Sequence, residues 1–185
     1  AIPADKKVIL YAPTWRDNQH DSAKGYTYTP QLDFDVLQKA VGSEYVVLFR
    51  SHYFIANYID LEKYKGFVYN VSTYNDIAEL YIISDLLITD YSSVFFDFAN
   101  LKRPMLFYMY DFDEYKNEMR DFYIDVSELP GPIVKKESDL LEEINNIDTY
   151  NIKYGEKYID FYNKYNYLDD GKAAARMVEI LKNNI

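Results

Sequence analysis

Leu86-Leu87-Ile88-Thr89-Asp90-Tyr91-Ser92-Ser93-Val94-Phe95-Phe96-Asp97-Phe98-Ala99-Asn100-Leu101 reads as a buried strand that passes through a hydroxyl-rich turn into a helix. Leu86 to Ile88 are continuously apolar, as in a parallel strand covered on both faces. Thr89 to Ser93 supply side-chain oxygens suited to a helix start. Val94, Phe98 and Leu101 recur at helical spacing, Lys102 and Arg103 follow where cations suit a helix C-terminus, and Pro104 blocks continuation. Free N–H groups and the hydroxyls of Ser92 and Ser93 then converge on one spot, which favours a phosphate. The same residues also suit a capped helix that binds nothing.

Working outward, Val8–Ala12, Tyr45–Phe49, Phe67–Tyr69 and Pro104–Tyr108 are further short apolar runs, and Ile133-Val134 adds a last one. Helical spacing lies between them. Phe34, Leu37 and Val41 mark a helix closed by Gly42, a short helix spans Ala56 to Tyr64, and Ile77, Leu80 and Tyr81 mark another. This alternation predicts an α/β fold with a parallel sheet. Beyond the fifth strand the pattern changes. Asp111 to Arg120 is charged and reads as a helix or lid, and Leu129-Pro130-Gly131-Pro132 as a rigid turn. Residues 137–185 form a C-terminal helical segment, with helices around Leu140 to Ile147, Tyr150 to Tyr165 and Lys172 to Leu181. Residues 1–7 read as a linker or boundary.

Composition sets the outer limits. The 185 residues, 49% apolar and 18% aromatic, suffice for one packed core. A net charge of −10 disfavours nucleic acid or an anionic membrane as partner of the domain as a whole. There is no cysteine, hence no disulfide framework, and the two histidines are too few for a His/Cys metal site. No apolar run reaches the roughly 20 residues of a membrane span. The 21 tyrosines read as a compositional habit.

In an open parallel sheet the ligand crevice lies at the carboxyl ends of the strands. The polar residues fall there in sequence: Thr14 and Arg16, Arg50 and His52, Ser72 and Thr73, then Asp90, Ser92 and Ser93. Arginine offers paired donors to phosphate oxygens, and imidazole can hand a proton to a leaving phosphate. Each residue also has a plain reading, His52 as a loop histidine and Arg16 and Arg50 as solvated charges. Asp111-Phe112-Asp113 has the Asp-x-Asp spacing of metal-dependent sugar transferases but reads as a solvated face, and His20 as a solvated loop residue.

Tyr11-Ala12-Pro13-Thr14-Trp15-Arg16, Arg50-Ser51-His52, Ser84-Asp85 with the run to Ser93, and Asp170-Gly171-Lys172-Ala173 together resemble the CDP-glycerol glycerophosphotransferase family of teichoic-acid polymerases and primases. The likeness runs from about Lys6 to Leu181. It implies the C-terminal, donor-nucleotide-binding half of a GT-B-type transferase, with a Rossmann-like sheet and residues 1–185 as one donor-binding domain. The implied donor is CDP-glycerol, with no cofactor or metal. The implied acceptor is a lipid-linked poly(glycerol phosphate) or related polymer at the cytoplasmic face of the bacterial membrane, reached through another part of a longer chain. By motif, His52 would assist phosphoryl transfer, while Ser92 and Ser93 at the helix start hold the pyrophosphate and Arg16 and Arg50 neutralise charge. Ser72 and Thr73 are placed near cytidine or ribose by position alone, and Asp90 joins the donor set.

One departure stands out: Tyr53 follows His52 where the family usually has proline. The alternatives are a CDP-ribitol or other alditol-phosphate transferase of the same family, a non-catalytic flavodoxin-like module, and an acidic domain docking a membrane enzyme through its tyrosine-rich helices.

Overall fold

The computed structural model describes residues 2–14, 16, 20–21, 25–26, 30–51, 61–119 and 124–183. Its strands are β1 (Lys7–Ala12), a short antiparallel ladder of β2 (His20–Asp21) and β3 (Gly25–Tyr26), then β4 (Tyr45–Phe49), β5 (Val68–Asn70), β6 (Leu86–Thr89), β7 (Met105–Tyr108) and β8 (Ile133–Val134). The main sheet has the order β5-β4-β1-β6-β7-β8, with every pairing parallel. The chain therefore steps outward from β1 on one side through β4 and β5, returns, and continues on the other side from β6. The carboxyl ends of β1 and β6 therefore mark the topological switch point of a Rossmann-like sheet.

The sequence folds this way because its strands are apolar throughout. Apart from Lys7 at the edge of β1, every residue of β1, β4, β6 and β7 is buried. Burying a side chain such as Ile9 or Leu48 contributes roughly 1.5–3 kcal/mol before packing is counted.

Helices close both faces. In α1 (Phe34–Val41) the buried residues are Phe34, Leu37 and Val41, and the Asp33 carboxylate accepts from the amides of Asp35 (2.8 Å) and Val36 (3.3 Å). In α2 (Ile77–Ile83) Asp76 caps the start by accepting from Ala78 N, and Arg103 Nη1 satisfies the last turn by donating to Ile82 O (2.7 Å) and Ser84 O (2.6 Å). Arg103 thus serves α2, rather than the helix that precedes it in sequence. That helix, α3 (Val94–Phe98), tightens into a 3₁₀ turn at Ala99–Leu101 and stops at Lys102, a left-handed residue with φ 53°. The break comes two residues before Pro104.

The charged stretch expected as a helix or lid is α4 (Phe112–Glu114) running into a π-helical turn over Tyr115–Met119. Then come α5 (Glu137–Asn145), α6 (Tyr150–Tyr165) and α7 (Ala173–Asn183), the last with none of its described side chains buried. Two tyrosines of α6 are buried and brace the core. Tyr150 Oη accepts from Met105 N (3.2 Å) and donates to Pro130 O (2.6 Å), and Tyr158 Oη donates to Ala99 O (3.3 Å). Gly131 is required by this contact, since a Cβ there would stand 2.0 Å from Met105 O and 2.8 Å from the Tyr150 hydroxyl. The third expected strand begins one residue later, at Val68; of the short helix expected over Ala56 to Tyr64, residues 56–60 lie outside the described residues and the end is a 3₁₀ turn at Glu62–Tyr64.

Candidate functional site

At the carboxyl end of β6 the chain turns through Asp90, and this carboxylate is 2% exposed. It accepts hydrogen bonds from Thr14 N (2.7 Å), Tyr91 N (2.6 Å) and Arg16 Nη2 (2.9 Å). Beneath it, Thr89 Oγ1 donates to Ala12 O at 2.8 Å, so β1 and β6 are tied by side chains exactly where their ladder ends. The buried Thr14 Oγ1 has no hydrogen-bond partner within bonding distance among the described residues.

Arg16, also 2% exposed, is enclosed by its partners. Its Nε and Nη2 grip Asp111 as a fork (2.7 and 3.1 Å), Nη2 also reaches Asp90, and Nη1 donates to Thr14 O at 2.6 Å. The rings of Tyr91, Tyr110 and Tyr115 surround the guanidinium, their centroids 5.0, 5.4 and 5.3 Å from Cζ. Tyr91 stacks on Tyr115 with centroids 3.6 Å apart and donates its hydroxyl to Asp111 Oδ1 at 2.9 Å. Burial disfavours the Arg16 charge, but the hydrogen bond to Asp111 and the fields of both carboxylates outweigh it and hold the pKa far above its ordinary value. Burial pushes the Asp90 carboxyl up, opposed by Arg16 and Thr14. Burial and the neighbouring carboxylates also raise the Tyr91 and Tyr110 phenols, so both stay protonated and Tyr91 remains a donor.

Asp90 leads directly into the serine turn. Ser92 is half-buried and its Oγ accepts a long bond from Val94 N (3.5 Å), while Ser93 is exposed and its hydroxyl makes no cap bond to the helix. The capping expected of both serines is thus left to Ser92.

A second group sits across β1, at the ends of β4 and β5. Arg50 Nη1 donates to Val71 O (3.1 Å) and Tyr74 O (2.9 Å), bracing the loop that carries Ser72 and Thr73. Ser72 is buried, with its hydroxyl accepting from Ser51 N and lying 2.9 Å from Ser51 Oγ. Thr73 is exposed. His52 and Trp15 lie outside the described residues, as does the side chain of His20.

Of the residues read from sequence, the fold brings Thr14, Arg16 and Asp90 together beside Ser92 and Ser93, and sets Arg50 and Ser72 on the neighbouring strand ends. Arg16 meets carboxylates inside the protein rather than solvent. Asp111 departs most from its sequence reading: its side chain is 9% exposed and fully engaged, whereas Asp113, two residues on, is 82% exposed and pairs with Lys135. The Asp-x-Asp spacing therefore does not place both carboxylates in one site. Among the described residues, no group of three or more His, Cys, Asp or Glu is placed to hold a metal ion.

Comparison with known proteins gives a consistent result. The family model described as CDP-Glycerol:Poly(glycerophosphate) glycerophosphotransferase matches residues 1–183. The chain is 49% identical over 178 residues to the teichoic acid poly(glycerol phosphate) polymerase of Bacillus subtilis (strain 168), covering 96% of this chain and 24% of that protein. It is 42% identical over 178 residues to the teichoic acid poly(ribitol-phosphate) polymerase of Bacillus spizizenii, covering 95% and 28%. Among solved structures it matches a variant of the wall teichoic acid polymerase TagF soaked with CDPG, at 45% identity and TM-score 0.88, covering 99% of this chain and 44% of that one. The chain thus spans from about a quarter to less than half the length of these proteins.

Proposed function

Because the chain belongs to the CDP-glycerol:poly(glycerophosphate) glycerophosphotransferase family, we propose that it is the donor-nucleotide domain of a transferase that adds glycerol phosphate to a lipid-linked acceptor in teichoic-acid synthesis. The observation that carries this reading is the buried Arg16–Asp90 pair at the switch point of the sheet, which fixes the turn into Ser92 and Ser93 at the place where open α/β sheets bind their ligands.

CDP-glycerol lies with its pyrophosphate against Ser92, Ser93 and the start of α3, and with cytidine or ribose toward Ser72 and Thr73. Arg50 braces that second loop and adds positive charge, while Arg16 acts through Asp90 rather than on the phosphates. The acceptor hydroxyl attacks the glycerol-bearing phosphorus, the P–O bond to the second phosphate breaks, and CMP departs. His52 assists at the donor phosphates, bonding or protonating the departing oxygen. Positioning and charge stabilisation suffice for such a transfer. The higher identity to the glycerol-phosphate polymerase than to the ribitol-phosphate one, 49% against 42%, supports glycerol as the alditol. The site of action is the cytoplasmic face of the membrane, with attachment through other parts of a longer enzyme. No helix of the described residues is long and apolar enough to cross a membrane.

Calorimetric titration of the chain with CDP, UDP and CDP-glycerol tests the reading. Cytidine nucleotides bind selectively, and Ser92→Ala/Ser93→Ala weakens them about tenfold, the equivalent of one charge-assisted hydrogen bond. Equal binding of CDP and UDP, indifferent to the serine change, overturns it.

A further inference from the structure

Two linkages hold the residues just before Ser92, and both end on the same carboxylate. Asp90 is fixed by Arg16, whose Nε and Nη2 are gripped by Asp111, and the Tyr91 ring is fixed by its hydroxyl bond to Asp111 as well as by its stack on Tyr115. We propose that Asp111 is a positioning residue of the donor site: from the end of β7 it sets the Asp90–Ser93 turn through Arg16 on one side and Tyr91 on the other. The assignment of that turn to the donor rests on the reading above.

The chemistry of the cluster supports an orienting role. The carboxyl end of a sheet needs no charge to close, and moving ions out of water costs several kcal/mol each. Here one guanidinium lies between two carboxyl groups in a place where apolar packing would hold three loops together at lower cost. What the ionic arrangement adds is direction. The forked bond fixes the guanidinium plane, that plane fixes which Asp90 oxygen faces Thr14 and Tyr91 N, and the Tyr91 hydroxyl fixes the ring from its far end. The backbone leaving Tyr91 for Ser92 then has little freedom. Among the described residues the Asp111 side chain bonds to Arg16 and Tyr91 and to none of Arg50, Ser72, Thr73, Ser92 and Ser93, so its effect on a ligand is transmitted by the turn.

Asp111→Asn removes the charge and presents an amide nitrogen to the Arg16 donors, and Tyr91→Phe removes only the hydroxyl linkage. Asp113→Asn, on the exposed neighbour, is the control. Two readouts are taken on the chain itself: amide hydrogen exchange at Tyr91 to Val94 compared with Val46 to Leu48 in β4, and the Kd for CDP. In Asp111→Asn, exchange at Tyr91 to Val94 quickens about tenfold while β4 is unchanged, and the Kd for CDP rises about tenfold, as for the loss of one bond to a charged group. Tyr91→Phe shifts the same amides by a smaller factor, and Asp113→Asn shifts neither readout. Faster exchange throughout the sheet marks Asp111 as general structural support and overturns the proposal, as does unchanged exchange at Tyr91 to Val94 in both variants. A wild-type chain that binds no CDP overturns the donor reading instead, and the exchange comparison alone then decides whether Asp111 sets the turn.

Discussion

Asp85 and Asp90 flank the same strand, and each accepts a hydrogen bond from a backbone amide at the matching end of β1. Asp85 takes Val8 N at 2.8 Å and returns its own amide to Val8 O, in a residue open to solvent. Asp90 takes Thr14 N at 2.7 Å, is buried, and adds a buried arginine, a second aspartate and three tyrosine rings. Strand joining alone therefore needs no more than the first arrangement. The second holds desolvated charge at the carboxyl end of the sheet, the end where open α/β sheets bind their ligands and where the donor site is proposed, and joining strands does not require so costly an arrangement.

The largest test of the contrast is Arg16→Met, which leaves two carboxylates without their cation. The expected loss is about 3–5 kcal/mol in urea unfolding, the range for breaking a buried ion pair; a change under about 1 kcal/mol would erase the distinction between the two ends of β6. Asp85→Ala gives up one part-buried hydrogen bond and should cost about 0.5–1.5 kcal/mol by the same measurement. The smallest effect belongs to charges far from either end. Asp170 is held below the usual carboxylate range by Arg176, with the Lys172 amide adding to it. A lowered carboxyl stabilises the folded state above its unfolded pKa and loses that contribution as pH falls through the folded value. Asp170→Asn should therefore change stability little at neutral pH and flatten its decline below about pH 4, as read from unfolding midpoints across pH.

The sheet was legible because each of its central strands is an uninterrupted apolar run, and its parallel character followed from the alternation of those runs with helical spacing; the strand order, and with it the switch point between β1 and β6, did not. The polar residues at the strand ends were legible as a group for the same reason. Their division of labour was not. Arg16 reads in sequence as a phosphate ligand because nothing local reveals that two carboxylates, 74 and 95 residues away, meet it first. Asp111 was hidden by its acidic neighbours Asp113 and Glu114, which make a charged surface of a stretch whose first member faces inward. A signal was nonetheless present: Asp111 lies three residues past the end of β7, as Asp90 lies one past β6 and Arg16 four past β1, and these are adjacent strands. The tyrosines at 91, 110 and 115 mark the same cage, concealed by the abundance of tyrosine elsewhere.

The position of β1 between β4 and β6 bears on the birth of the molecule as well as on its site. Ala12 pairs with Thr89 across 77 residues, so at synthesis rates of about 5–20 residues per second the first strand waits roughly 4–15 s for its second neighbour. For that interval a long apolar edge of the nascent chain is unmatched, and the ribosome-bound intermediate has every reason to be a client of chaperones.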